Sequence, residues 1–190
     1  MATMTLLATF SMSAGDSVDQ EKLLQVKAAY LINFARFTTW PDVKFESDHA
    51  PLIIGLFESD PIKPIIARMI KGREVAGHPL KIMRLKLPPS ASGTSHQKEF
   101  EKQLKSCHLI YVSNMHNHAA RQLIKSVKHA AVLTIGEGES FVRQGGMLSF
   151  LVEAGRVLFY ANPDAIESSD LRVSSKVLKL ARIAGSNTGE

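Results

Sequence analysis

The chain has 190 residues, 45% of them hydrophobic and 22% charged, with a formal net charge of +5. That is enough apolar material for a full core, and the charge is too low and too mixed for a disordered chain. One cysteine, Cys107, excludes an intramolecular disulfide and a cysteine-based zinc site.

Met4 to Met12 is a short apolar run, and the small residues of Ser11-Met-Ser-Ala-Gly15 follow it. Residues 1–15 read as the distal part of a secretory signal peptide without the basic start such peptides carry. Either the start lies upstream or the run is an apolar tail; export is the expectation. No later stretch approaches the roughly eighteen apolar residues of a membrane span, so a soluble mature domain over residues 16–184 is expected, with 185–190 as a polar tail.

Ser17-x-x-Gln20 has the form of a capping box and predicts a helix from Glu21 to Thr38. Leu24, Ala28, Leu31 and Ala35 follow helical spacing, as do Leu23, Tyr30, Phe34 and Phe37, so the helix is buried along much of its surface. Pro41 stops it, because a residue before proline is pushed out of helical angles. Five of the thirteen aromatic residues fall between Tyr30 and Phe45. Phe34 and Phe37 read as core, and Trp40 as a plug at one end of a sheet. Asn33, a polar amide in this stretch, needs hydrogen bonds if buried, and Asn162 is its expected counterpart.

Leu52 to Phe57 predicts a buried strand, Asp60-Pro61 a helix start running to Ile70, and Leu80 to Leu85 a strand with one wet face. Pro88 to Ser95 is a loop. A helix over His96 to Lys105 leads into a strand, His108 to Ser113, which places Cys107 at a buried strand start. A helix over Ala119 to Val127 leads into the strand Ala131 to Ile135. Met147 to Val152 and Arg156 to Tyr160 form a hairpin turning at Ala154-Gly155. A last helix covers Ser174 to Ile183. The alternation implies an α/β fold of three layers: a mostly parallel sheet flanked by helices, ending in an antiparallel hairpin.

Catalytic patterns are weak. Gly136-Glu-Gly138 follows a strand but lacks the remaining elements of a nucleotide fingerprint, and its acids repel phosphate. His116-Asn-His118 has no acid or cysteine beside it to complete a metal site. No Gly-x-Ser-x-Gly elbow occurs. Asp164, Glu167 and Asp170 read as residues that cap and solvate a connection. Lys81, Arg84 and Lys86, and the cations Arg172, Lys176, Lys179 and Arg182, lack the interleaved aromatics of a nucleic-acid surface. No catalytic residue, cofactor, metal or nucleic-acid partner is expected.

The segment Lys27-Ala-Ala-Tyr-Leu-Ile-Asn-Phe-Ala-Arg-Phe-Thr-Thr-Trp-Pro41 closely resembles the opening signature of the YfiR family. Ile54-Gly-Leu-Phe57 with Asp60-Pro61, Cys107 to Val112, Val132 to Gly136, Gln144-Gly-Gly-Met147, Asn162 and Leu171 to Arg182 extend the likeness from about Glu21 to Ile183. Its signature residues here are Tyr30, Asn33, Phe34, Phe37, Trp40, Pro41, Gly145, Gly146, Asn162, Ser174 and Ser175, mainly structural. Gly145 and Gly146 are expected to give the backbone freedom to enter the hairpin. The resemblance implies a periplasmic protein, a homodimer, that binds the periplasmic region of a membrane-anchored diguanylate cyclase and represses it, lowering cyclic-di-GMP and biofilm formation. It implies an outer-membrane lipoprotein that can sequester the repressor. Relatives with paired cysteines differ from this chain, which has only Cys107. The rival expectation is a sensory domain holding a small molecule at the strand ends near Ser113, Asn114 and Gly136.

Overall fold

A computed structural model describes residues 14–88, 94–113 and 115–184. Asn114, the polar tail and the expected leader lie outside the described residues, except that 14 and 15 open the first helix. In chain order the elements are α1 (Ala14–Arg36), β1 (Thr38–Thr39), a 3-10 turn (Asp42–Lys44), β2 (Leu52–Phe57), α2 (Lys63–Ile70), β3 (Glu74–Val75) and β4 (His78–Leu85). Next come α3 (Thr94–Ser106), β5 (Leu109–Tyr111), α4 (Asn117–Val127), β6 (Leu133–Glu137) and α5 (Gly138–Arg143). The chain closes with β7 (Leu148–Glu153), β8 (Arg156–Ala161), α6 (Pro163–Glu167), β9 (Arg172–Val173), α7 (Ser175–Leu178) and β10 (Arg182–Ile183).

Eight strands form one sheet in the order β10-β8-β7-β6-β5-β2-β4-β3. The central pairs β4–β2, β2–β5, β5–β6 and β6–β7 are all parallel. Parallel strands covered on both faces must be apolar throughout, and here alternate residues serve different layers. Leu109, Tyr111, Leu133 and Ile135 join the core under α1 and α2. Cys107, Ile110, Val112 and Val132 join a second core under α3, α4 and α5. The three-layer expectation therefore holds.

Helix α1 begins at Ala14, ahead of the predicted cap at Ser17. An Asp19–Lys22 pair at 3.6 Å supports its early turns. It ends at Arg36 rather than Thr38, because Thr38 and Thr39 pair in antiparallel register with Val173 and Arg172. Thr38 Oγ1 donates to the carbonyl of Phe34 at 2.7 Å, which satisfies one of the helix's unpaired C-terminal acceptors. Tyr30 and Phe34 project from this helix onto Phe150 and Phe159, with ring centroids 5.0–6.0 Å apart. Two pairs of aromatic rings thus lock α1 to the hairpin.

The hairpin turns at Ala154-Gly155 as expected, with φ of +49° and +72° at those residues and Glu153 facing Arg156. Two departures lie beyond it. Asn162 caps α6, a helix absent from the sequence-based expectation: its Oδ1 accepts from Ala165 N at 3.0 Å, and Pro163 occupies the first helical position. The predicted helix Ser174 to Ile183 is instead the single turn α7 followed by β10. Arg182 and Ile183 lie parallel to Tyr160 and Ala161, and Ala184 N donates to Ala161 O at 2.9 Å. Pairing with the free edge of β8 outweighs the local helical pattern.

Candidate functional site

The C-terminal ends of parallel strands are the usual place for a site in an α/β sheet. Here they carry a closed polar network. Glu137, last residue of β6, receives Lys27 Nζ on both carboxylate oxygens at 2.8 Å. Tyr111, at the end of β5, donates its hydroxyl to the same carboxylate. Burial, then the Glu137 charge, pushes the Tyr111 phenol well above its ordinary range, so it stays a protonated donor. Lys27 also lies 5.9 Å from the Phe150 ring centre. Nearby, Asp60 accepts from Ser113 Oγ at 2.6 Å and from the backbone N–H of Ile62 at 3.0 Å. Each charge here has a partner.

Of the three residues expected to hold a ligand, Ser113 is thus committed to Asp60, and the hollow beside it measures about 80 Å³. Gly136 is covered by the ring of Phe141; a Cβ there would sit 2.3 Å from it. Gly146 meets the same ring from its own strand entry, at 2.2 Å from where a Cβ would stand. Close approach is therefore the reason for glycine at 136 and 146. Gly145, with φ +98°, supplies the expected backbone freedom.

The signature residues divide by position. Phe34 and Trp40 are buried, and Tyr30 is half-buried in the aromatic cluster. Phe37, expected inside, is exposed and retains 40% of its surface; Asn33 is exposed as well, so its amide does not need a protein partner. Phe37 lies just past the helix, where the chain turns outward into β1. Asn33 and Asn162 are not partners: Asn162 directs its amide to Val142 O at 2.9 Å and its carbonyl to the α6 start. Trp40 donates Nε1 to the carbonyl of His108 at 3.0 Å, tying the signature to the N-terminal end of the sheet.

The two ends of the signature meet. β1 and β9 form a two-stranded ribbon, and Ser174, whose hydroxyl accepts from Lys176 N at 3.3 Å, donates its own backbone N–H to Phe37 O at 2.8 Å. Ser175 is exposed beside it. Along this ribbon runs an open groove of about 820 Å³, walled on one side by Trp40, Pro41 and Val43 and on the other by Glu167, Asp170 and Arg172. Val43 is 93% exposed. Sequence reasoning missed this convergence, since the blocks lie far apart along the chain.

A family model described as YfiR/HmsC-like matches residues 24–182. The chain belongs to the YfiR/HmsC-like family. The match spans both walls of the groove and nearly the whole described fold. Among solved structures, the YfiR/HmsC-like chain is similar to a crystal structure of a conserved domain protein from Vibrio cholerae O1 biovar El Tor, at 15% identity and a TM-score of 0.50. The likeness covers 70% of this chain and 54% of that one, so this chain spans about half the length of the protein it matches, and the shared feature is the fold. Among the described residues no helix is long and apolar enough to cross a membrane.

Proposed function

We propose that this YfiR/HmsC-like protein is a regulatory binding protein of diguanylate cyclase signalling. It is exported to the periplasm, binds the periplasmic region of a membrane-anchored cyclase as a homodimer, and lowers cyclic-di-GMP and biofilm formation while bound. An outer-membrane lipoprotein that sequesters it would relieve the repression. The observation that carries the reading is the family match over residues 24–182. The geometry supports it in two ways: the ionisable groups at the strand ends are paired with one another, and the signature blocks converge on an open groove. A groove of that shape suits a protein segment better than an enclosed substrate.

Regulation by binding requires a difference in affinity between two states of the partner, and output falls only by that difference. The test is co-purification of the full chain with the periplasmic region of a cyclase encoded beside it, with cyclic-di-GMP measured in a deletion strain. Complex formation and raised cyclic-di-GMP on deletion are the expected results. Absence of a complex together with unchanged cyclic-di-GMP would remove the proposal. Loss of the complex on Val43→Asp, with an unchanged melting temperature, would assign the groove as the docking face.

A further inference from the structure

Strand β4 runs from His78 to Leu85, and β3 covers only its start, facing His78 and Pro79. From Lys81 to Leu85 the outer side of β4 has no strand neighbour among the described residues. We propose that this free edge takes up an extended acidic segment of a partner protein as an added strand.

The backbone is the first reason. Successive residues of a strand turn their N–H and C=O groups to opposite edges. The Leu85 carbonyl accepts from the Glu58 N–H at 3.0 Å, on the side of β2, and the Leu80 N–H donates to the Arg73 carbonyl at 3.1 Å, on the outer side. Ile82 and Arg84 share the orientation of Leu80, so their N–H and C=O groups point outward, where no described residue bonds them. The two residues lie about 6.6 Å apart along the strand, the spacing at which alternate residues of a partner strand pair.

Charge is the second reason. Lys81 and Arg84 are exposed on opposite faces of this stretch, and exposed Lys86 follows it. Arg73 stands beside its start. Among the described residues none of these four cations has a carboxylate within salt-bridge distance. Glu74, opposite Pro79, and Glu58, beside Leu85, are acids at the two ends of the stretch and leave positive charge in excess. Lysine on an edge strand ordinarily guards against chain-to-chain stacking. Here the same charge repels the identical edge of a second copy and attracts a segment of opposite sign, since opposed charges across a strand pair stabilise it and like charges do the reverse. The other uncovered edge, β8 from Val157 to Phe159, differs in that Arg182 beside it is already paired with both carboxylate oxygens of Glu153.

No residue of β4 lines the groove by the β1–β9 ribbon. The edge is therefore a separate surface, and its test does not depend on the regulatory reading.

The experiment is a titration of the full chain with short synthetic peptides, following backbone amide signals by nuclear magnetic resonance. A peptide of alternating glutamate and valine at millimolar concentration should move the Ile82 and Arg84 amides. A lysine–valine peptide should leave them in place. So should the glutamate–valine peptide N-methylated throughout, which keeps the charge and removes its backbone donors. Arg84→Glu, at an exposed position, should weaken the acidic peptide by about fivefold with an unchanged melting temperature. Added salt should weaken the same peptide on the unaltered chain. Unmoved amides, an equal response to the N-methylated peptide, undiminished binding by Arg84→Glu, or movement at Val157 and Phe159 in place of Ile82 would overturn the proposal.

Discussion

Phe141 shows how one side chain can set the identity of residues far from it in sequence. Its ring occupies the space that a Cβ would need at both Gly136 and Gly146. Gly136→Ala should therefore destabilise the protein by about 1–3 kcal/mol, the usual cost of overpacking a well-filled core. Urea unfolding would measure it, and Phe141→Leu in the same chain should recover part of the loss because the two sites share one space. An unchanged midpoint for Gly136→Ala would contradict the packing described. His108 gives a second consequence at this scale. Burial, then the nearby Lys44 and His78, lowers its pKa from 6.5 to about 4. The folded state binds the proton less readily than the unfolded state, so the contribution of the neutral ring is fully present above pH 6.5. It is lost as pH falls through about 4. The decline amounts to on the order of 3 kcal/mol. Denaturant titrations at stepped pH should show a shallower fall for His108→Gln than for the unaltered chain; equal slopes would remove His108 as the source.

At the level of elements, the short pieces after the hairpin depend on side chains more than on length. α6 has only five residues, too few to stand by itself. Asn162 holds it from both ends of one amide, capping Ala165 N and donating to Val142 O. Asn162→Ala removes both bonds and should cost about 2 kcal/mol, whereas Asn162→Asp keeps the cap acceptor and should cost less. Thermal unfolding of the two variants would rank them. Elements of this kind explain what the sequence revealed and what it hid. β2, β5 and β6 were legible because strands buried on both faces are unbroken apolar runs. Their order in the sheet was not legible, because β2 lies between β4 and β5 and chain order alone would set β4 next to β5. The Asn-Pro start of α6 was also written in the sequence, as a cap residue followed by proline, but the acids after it point equally to a solvated connection. β10 was not legible, since Val177, Leu178 and Ala181 suit a helix and only the position of β8 makes Arg182 and Ile183 a strand.

Across the whole molecule, the aromatic first helix is legible as the spine of one layer, but its two faces are not separable from spacing alone. A wide apolar stripe places Phe37 inside; the fold leaves it outside, because α1 covers the sheet with Ala28, Leu31, Phe34 and Ala35. The Lys27–Glu137 pair joins residues 110 positions apart. No local pattern encodes such a contact, although a lysine one turn before Tyr30 on a buried helix is a hint that its charge must be met. The groove beside the ribbon is hidden for the same reason: its walls become neighbours only when β1 pairs with β9. Sequence thus carried the layers and much of the fold, while the surfaces able to act on something else emerged from contacts between distant segments.

The sheet ends in two very short margins, β3 and β10, of two residues each. They cover only part of the strands they flank: β3 pairs with His78 and Pro79 of β4, and β10 with Tyr160 and Ala161 of β8. From Lys81 on, β4 has no strand neighbour on its outer side among the described residues, and neither does β8 from Val157 to Phe159. Those two stretches of backbone are the places where strand addition has rungs to offer, and the short flanking strands limit its length.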